Sequence, residues 1–113
     1  MIEEIQTISW IYLGIAVIFE IVVAFAAGNA KGFTKPGWTA ITLISGVIAT
    51  VFLSLALLEF NVGVGYSIWT STAGVGIVMI GAIFFGEHLN GKKLSGIALV
   101  IAGVIGLRLS GAA

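Results

Sequence analysis

Ser9-Trp-Ile-Tyr-Leu-Gly-Ile-Ala-Val-Ile-Phe-Glu20-Ile-Val-Val-Ala-Phe-Ala-Ala27 is the stretch that decides the fold. A helix needs about 20 apolar residues to cross a hydrocarbon core about 30 Å thick, and this run supplies them with one carboxylate inside it. Three further runs follow. Gly37–Leu58 and Val62–Phe85 carry no charge, and the shorter Leu94–Leu109 has Arg108 near its end, placed to snorkel to the interface. The runs are continuous, without the alternation of a barrel strand, so they read as helices. Between them lie Gly28–Pro36, Glu59–Asn61 and Gly86–Lys93, which hold the breakers Gly28, Asn29, Gly32, Pro36, Asn61, Asn90 and Gly91. Connections this brief make successive helices antiparallel neighbours. The expectation is an all-α membrane protein, residues 1–113 forming one domain of four spans at about 9–27, 37–58, 62–85 and 94–109. Trp10, Tyr12, Phe33 and Trp38 fall near span ends, where aromatic belts form.

Composition agrees. The chain has 113 residues, 59% apolar and 9% charged. Ordinary soluble domains have roughly 45–50% and about 25%, and ten charges cannot cover the surface of so small a soluble protein. This excludes a cytosolic enzyme, a disordered tail and a nucleic-acid binder, since five Lys+Arg balance five Glu and leave no basic patch for phosphates. No Cys, no Asp and a single His leave no disulfide framework, metal site or catalytic triad, and no cofactor is expected. Ala24-Phe25-Ala26 resembles a signal-peptide cleavage site. Glu3 and Glu4 stand where Lys or Arg belong, however, and Glu20 interrupts the apolar core, so the first run reads as a span.

Glu20 is the most informative residue. An ionised carboxylate at bilayer depth costs roughly 2.5–3.5 kcal/mol, and such residues face a cavity or a partner. A helix ending at Glu20 is contradicted by the apolar Ile21–Ala27 beyond it, and no Lys, Arg or His lies within a span to pair with it. A structural hydrogen bond to a neighbouring helix is the bland alternative. A carboxyl here can load a proton or, ionised, hold a cation, and it exchanges them when the two compete. Helical spacing places Leu13, Ala16, Val17, Val23, Ala24 and Ala27 around it, with the small Ala16, Ala24 and Ala27 leaving room. In the third run, Tyr66 and Trp69 share a face. Such a pair suits a lipophilic cation, and a tyrosine hydroxyl can orient a carboxylate; on spacing alone, an interfacial belt explains them as well. Thr70, Ser71 and Thr72 follow, for which bonding to backbone is the simpler reading. Gly74, Gly76 and Gly81 offer close packing or a bend. In the fourth run, Gly96 and Gly103 lie on one face with Ala102 adjacent, a spacing that lets helices approach closely.

These residues give the chain a resemblance to the small multidrug resistance family of four-helix transporters over about Trp10–Ser110. Its marks are Trp10-Ile-Tyr-Leu-Gly14 leading to Glu20, Lys31-Gly-Phe-Thr34, Gly63-Val-Gly-Tyr66-Ser-Ile-Trp69, Phe84-Phe-Gly-Glu87 and Gly96-Ile-Ala-Leu-Val-Ile-Ala-Gly-Val104. The resemblance implies an antiparallel dimer in the inner (plasma) membrane that exports organic cations, of multidrug or quaternary ammonium type, in exchange for protons. It implies Glu20 as the shared proton and substrate site, Tyr66 and Trp69 as pocket lining with Ala16, Val23 and Ala24 beside the carboxylate, and Gly96, Gly103 and Val104 as the dimer interface. Departures are present. Guanidinium exporters of the family carry Trp at the position of Val23, which weighs against that alternative. Gly28 replaces a usual Lys, Asn61 a usual Pro, and Ser71-Thr72-Ala73 a usual Gly-x-Gly. A non-transporting membrane partner for a related subunit is a further alternative, but it has no need for an isolated membrane carboxylate.

Charge placement adds an expectation about partners. Lys31, Lys35, Lys92 and Lys93 lie on one side of four spans and Arg108 alone on the other. The bias predicts the first and third connections in the cytoplasm and both termini outside. A chain with one preferred orientation needs a related partner of opposite bias to form an antiparallel dimer; a homodimer requires that the bias be tolerated.

Overall fold

The computed structural model describes residues 2–111, with side chains from residue 7 onward. Four helices follow in order, α1 Ile2–Ala30, α2 Pro36–Ala56, α3 Val62–Phe84 and α4 Gly91–Leu109, and no strand occurs among the described residues. Three are long and apolar enough to cross a membrane: Thr7–Ala30, Pro36–Ala56 and Val62–Phe84. The nineteen residues of α4 reach about 28 Å at 1.5 Å per residue, with Lys92 and Lys93 in the first turn and Arg108 in the last.

Local chemistry sets the ends. α1 starts at Ile2 rather than Ser9 because apolarity marks only the part of a helix that lies in lipid, whereas the helix itself continues into the polar residues before it. It closes at Ala30, whose carbonyl accepts from the Thr34 and Lys35 amides. Pro36, whose fixed φ suits a first helical turn, opens α2. Asn90 opens α4, its side chain accepting from the Lys93 amide at 2.9 Å. This is why α4 begins at Gly91, ahead of Leu94.

α1 and α2 run antiparallel, with Tyr12 against Phe52 (5.8 Å between rings), Val23 against Gly46 and Phe25 against Trp38 (5.6 Å). α1 and α3 run parallel, with Ile21 against Gly76 and Gly28 against Phe85. The seam between α1 and α2 is built from small side chains: Ser9, Ala16, Ala26 and Ala30 on one helix, and Thr42, Ser45, Ala49 and Ala56 on the other, are all buried. Small residues let backbones approach where lipid offers no hydrophobic drive. Leu13, Ala16, Leu53, Ala56 and Ile68 close the core at the end bearing the α2–α3 turn. Aromatic clusters mark both ends. Trp10 meets Phe60 edge-on at 5.0 Å, and at the other end Phe25 touches Trp38, Phe84 and Phe85.

α4 packs along α3, with Val104 and Leu107 against the core and Arg108 over the Trp10 ring, and no residue on it is buried. The molecule measures 46 × 34 × 18 Å, its thinnest dimension less than two helix diameters of about 10–12 Å. It is a slab, with α4 on its edge.

Candidate functional site

Four hydroxyls in the spans are satisfied within their own helices, whereas Thr39 Oγ1 is buried without a partner. Thr42 Oγ1 donates to the Trp38 carbonyl, Thr50 to Gly46, Thr70 to Tyr66 (each 2.8 Å) and Ser71 to Ser67 (2.7 Å). In lipid these bonds remove a cost of several kcal/mol per unsatisfied group, and they give Thr70 and Ser71 a structural role.

Glu20 is different. It lies two residues into the second half of Thr7–Ala30, close to mid-span. It is half-buried, and no hydrogen bond or ion pair joins it to another described residue. Tyr66 and Trp69 form one aromatic unit, their rings 5.0 Å apart and 69° inclined. Tyr66 is 49% exposed, and Trp69 is half-buried against the Leu13–Ala16 cluster with its indole Nε1–H buried and unpartnered. Trp69 Nε1 and Thr39 Oγ1 are buried without a partner, and Glu20 makes no hydrogen bond or ion pair with a described residue.

Within one subunit these groups occupy different depths. The α1–α3 register, Ile21 to Gly76 and Gly28 to Phe85, sets Trp69 level with about Leu13 and Tyr66 level with about Trp10. At 1.5 Å per residue these are about 10 Å and about 15 Å along the axis from Glu20. Helical side chains lean towards their N-terminus, so the Glu20 carboxylate leans towards the aromatic pair.

The residues around the carboxylate divide in role. Ala16 is fully buried in the core between α2 and α3. Val23 faces α2, its Cγ2 3.9 Å from where a Cβ on Gly46 would lie. Ala24 and Val17 are half-buried and Ala27 is exposed. Gly76 is the close-packing glycine, since any side chain there meets Ile21, next to Glu20; Gly74 has open space. Gly81 receives the Glu87 carboxylate. On α4, Gly96 and Gly103 have nothing of their own subunit within 4 Å of an added Cβ, whereas Val104 is half-buried and lines a 220 Å³ cavity with Thr72 and Val75. No group of three potential metal-ligating side chains occurs among the described residues.

Two features escaped the sequence reading. Phe25 is the hub of the aromatic cluster at the lysine-bearing end, although in the sequence it is one apolar residue in a run. Gly28 gives room to Phe85, whose Cζ would lie 2.8 Å from an added Cβ, so the position that resemblance expected as Lys is here the floor under an aromatic ring. The Glu3 and Glu4 side chains, used in the signal-peptide reading, lie outside the described residues, as does Ala113.

Comparison with known proteins bears on this arrangement. Residues 8–100 match the model of the Small Multidrug Resistance protein family. The guanidinium exporter of Escherichia coli (strain K12) is 34% identical over 102 residues, covering 90% of this chain and 97% of its own length. The guanidinium exporters of Citrobacter freundii and Salmonella typhimurium are 35% identical over the same coverage. Members of this family are membrane transporters, not enzymes, and the helical order, the mid-span carboxylate and the near-complete match lead to one conclusion: the chain belongs to the small multidrug resistance family.

Proposed function

We propose that this protein is one subunit of a proton-coupled exporter of small organic cations, with guanidinium compounds as the leading substrate class. The observation that carries the proposal is Glu20, an unpaired carboxyl near mid-span with an aromatic pair displaced to one side. An ionised Glu20 holds the cation and a protonated one releases it, so inward proton flow drives outward cation flow. Planar guanidinium matches a carboxylate in a bidentate pair and stacks on aromatic faces. The relatives named above, all guanidinium exporters, support that class.

An antiparallel dimer accounts for the depths. Inverting a like subunit about the membrane midplane returns a mid-span residue nearly to its own level, so two Glu20-type carboxyls meet at one depth. The displaced Tyr66–Trp69 unit of one subunit then lies on one side of them and its counterpart on the other, and each side can be opened in turn. In this arrangement Ala24 and Val23 flank the carboxylate, Ala16 sets the helix spacing beside it, and the Gly96–Gly103 face, with Val104 at its edge, meets the second subunit. The four lysines at one end favour, in cells, fixed insertion with both termini outside, and hence a related partner of opposite bias there; in detergent or reconstituted vesicles, where no insertion machinery sorts orientation, two copies of this chain can pair.

A second reading, export of bulkier quaternary ammonium cations, is favoured by Val23, which stands where guanidinium exporters of the family have Trp. Proteoliposomes with an imposed pH gradient distinguish the two. Uptake of guanidinium well above that of tetraethylammonium is expected, the reverse order supports the second reading, and uptake of neither overturns the transport proposal. A Cys introduced at Ala113 and probed with an impermeant thiol reagent outside intact cells tests topology: near-complete labelling is expected, and about half points to dual insertion and a homodimer.

A further inference from the structure

The lysine-bearing end has a surface that transport does not require. Lys31, Gly32 and Phe33 all adopt left-handed φ, at 49°, 71° and 63°. Only the glycine does so without strain, and for a bulky residue such as Phe33 this conformation is a rare outlier. The turn is held by the Thr34 amide on the Ala30 carbonyl and by Thr34 Oγ1 on the Lys31 carbonyl at 2.8 Å. The result is a Phe33 ring 59% exposed, with a lysine two residues away on either side. At the same end the Phe25 cluster leaves Trp38 at 37% and Phe84 at 60% exposure.

The charge at this end is uncompensated. Lys93 Nζ donates to the His88 carbonyl at 2.7 Å. Lys31, Lys35 and Lys92 make no side-chain hydrogen bond or ion pair with a described residue. The one carboxylate at this end, Glu87, lies against Gly81 at the close of α3 rather than on a lysine. An exposed aromatic floor with a rim of free ammoniums is complementary to a lipid with an anionic headgroup: acyl chains and glycerol cover the rings while the phosphate meets the lysines.

We propose that the two connections at this end, 31–35 and 85–90, with the first turn of α4, form a seat for an anionic phospholipid, with Phe33 as its apolar anchor and Lys31, Lys35 and Lys92 as its phosphate contacts. The strained turn leaves the Phe33 ring exposed between the two lysines before the lipid arrives.

The test is native mass spectrometry of the full chain released from detergent micelles containing equal phosphatidylglycerol and phosphatidylcholine of matched acyl chains. Retention in micelles does not depend on the orientation of insertion or on transport, so it reads this proposal separately from the exporter reading. The parent should retain phosphatidylglycerol preferentially. Each of Lys31→Gln, Lys35→Gln and Lys92→Gln should lower that preference roughly fivefold, the factor for an ammonium near an anionic surface. Arg108→Gln, at the opposite end, should leave it unchanged, and Phe33→Ser should reduce retention of both lipids. All these residues are exposed, and gel filtration checks that the variants remain folded. Equal retention of the two lipids by the parent, or a preference that survives the triple lysine variant, overturns the proposal.

Discussion

The seam between α1 and α2 and the outer face of α4 are both lined with small residues, yet they do opposite things. At the seam, Ala16, Ala49 and Ala56 are fully buried. On α4, Gly96, Gly103 and Gly106 face open space, and no residue of the helix is buried. Small residues therefore do not by themselves identify an internal contact; the helix opposite does. Each of the first three helices buries part of its surface within the chain, although large apolar residues such as Ile18, Leu43, Val47 and Ile83 remain exposed on them. The fourth keeps its close-packing face free, which is the arrangement expected if its partner comes from another subunit.

The sharpest test of this contrast makes one substitution in both regions. Gly76→Val forces a methyl group into Ile21 and should destabilise the subunit by about 1–3 kcal/mol, the range for overpacking, read as a lowered melting temperature in detergent. Ile21→Ala should restore part of the loss. Gly103→Val meets no atom of its own subunit and should leave subunit stability within about 0.5 kcal/mol while lowering the dimer fraction in cross-linking. Equal losses of subunit stability would erase the distinction between the two regions.

A smaller effect is expected at the aromatic pair. Trp69→Ala should weaken binding of an aromatic cation by about 1–2 kcal/mol, a desolvated cation–π magnitude, measured by titration in detergent. Unchanged affinity would return Trp69 to an interfacial anchor. The smallest effect is expected at a hydroxyl satisfied by its own helix: Ser71→Ala should change neither stability beyond about 0.5 kcal/mol nor transport, and a large transport defect would mean that this hydroxyl reaches beyond the Ser67 carbonyl.

These contrasts show what was legible beforehand. Four helices followed from four apolar runs, because lipid demands such runs of any spanning helix. Glu20 stood out because charge inside a span is costly, and the Tyr66–Trp69 contact followed from helical spacing. Neighbour identity was not legible. In water, the apolar face of a helix points to the core, but these helices are apolar all round, so the pattern does not say that Ala16 enters the core, that Ile21 rests on Gly76 or that Phe85 covers Gly28. The depth offset between Glu20 and Trp69 also depends on the α1–α3 register, which no local pattern encodes. The starts of α1 and α4 were read late, and the end of α1 early, with Gly28 and Asn29 inside the helix, because hydropathy tracks lipid contact whereas the ends are set by hydrogen bonding, as at Asn90.

The central claim is that one carboxyl, Glu20, exchanges a proton for a cation. Proton release tests it most directly. Cation is added to the purified protein in weakly buffered detergent solution, near the pH at which binding is half protonation-limited, and the pH change is recorded. The parent should release protons in proportion to cation bound, and Glu20→Gln, which keeps the side-chain volume but has no proton to give up, should fold normally and release none. Proton release by the variant equal to that of the parent would contradict the account.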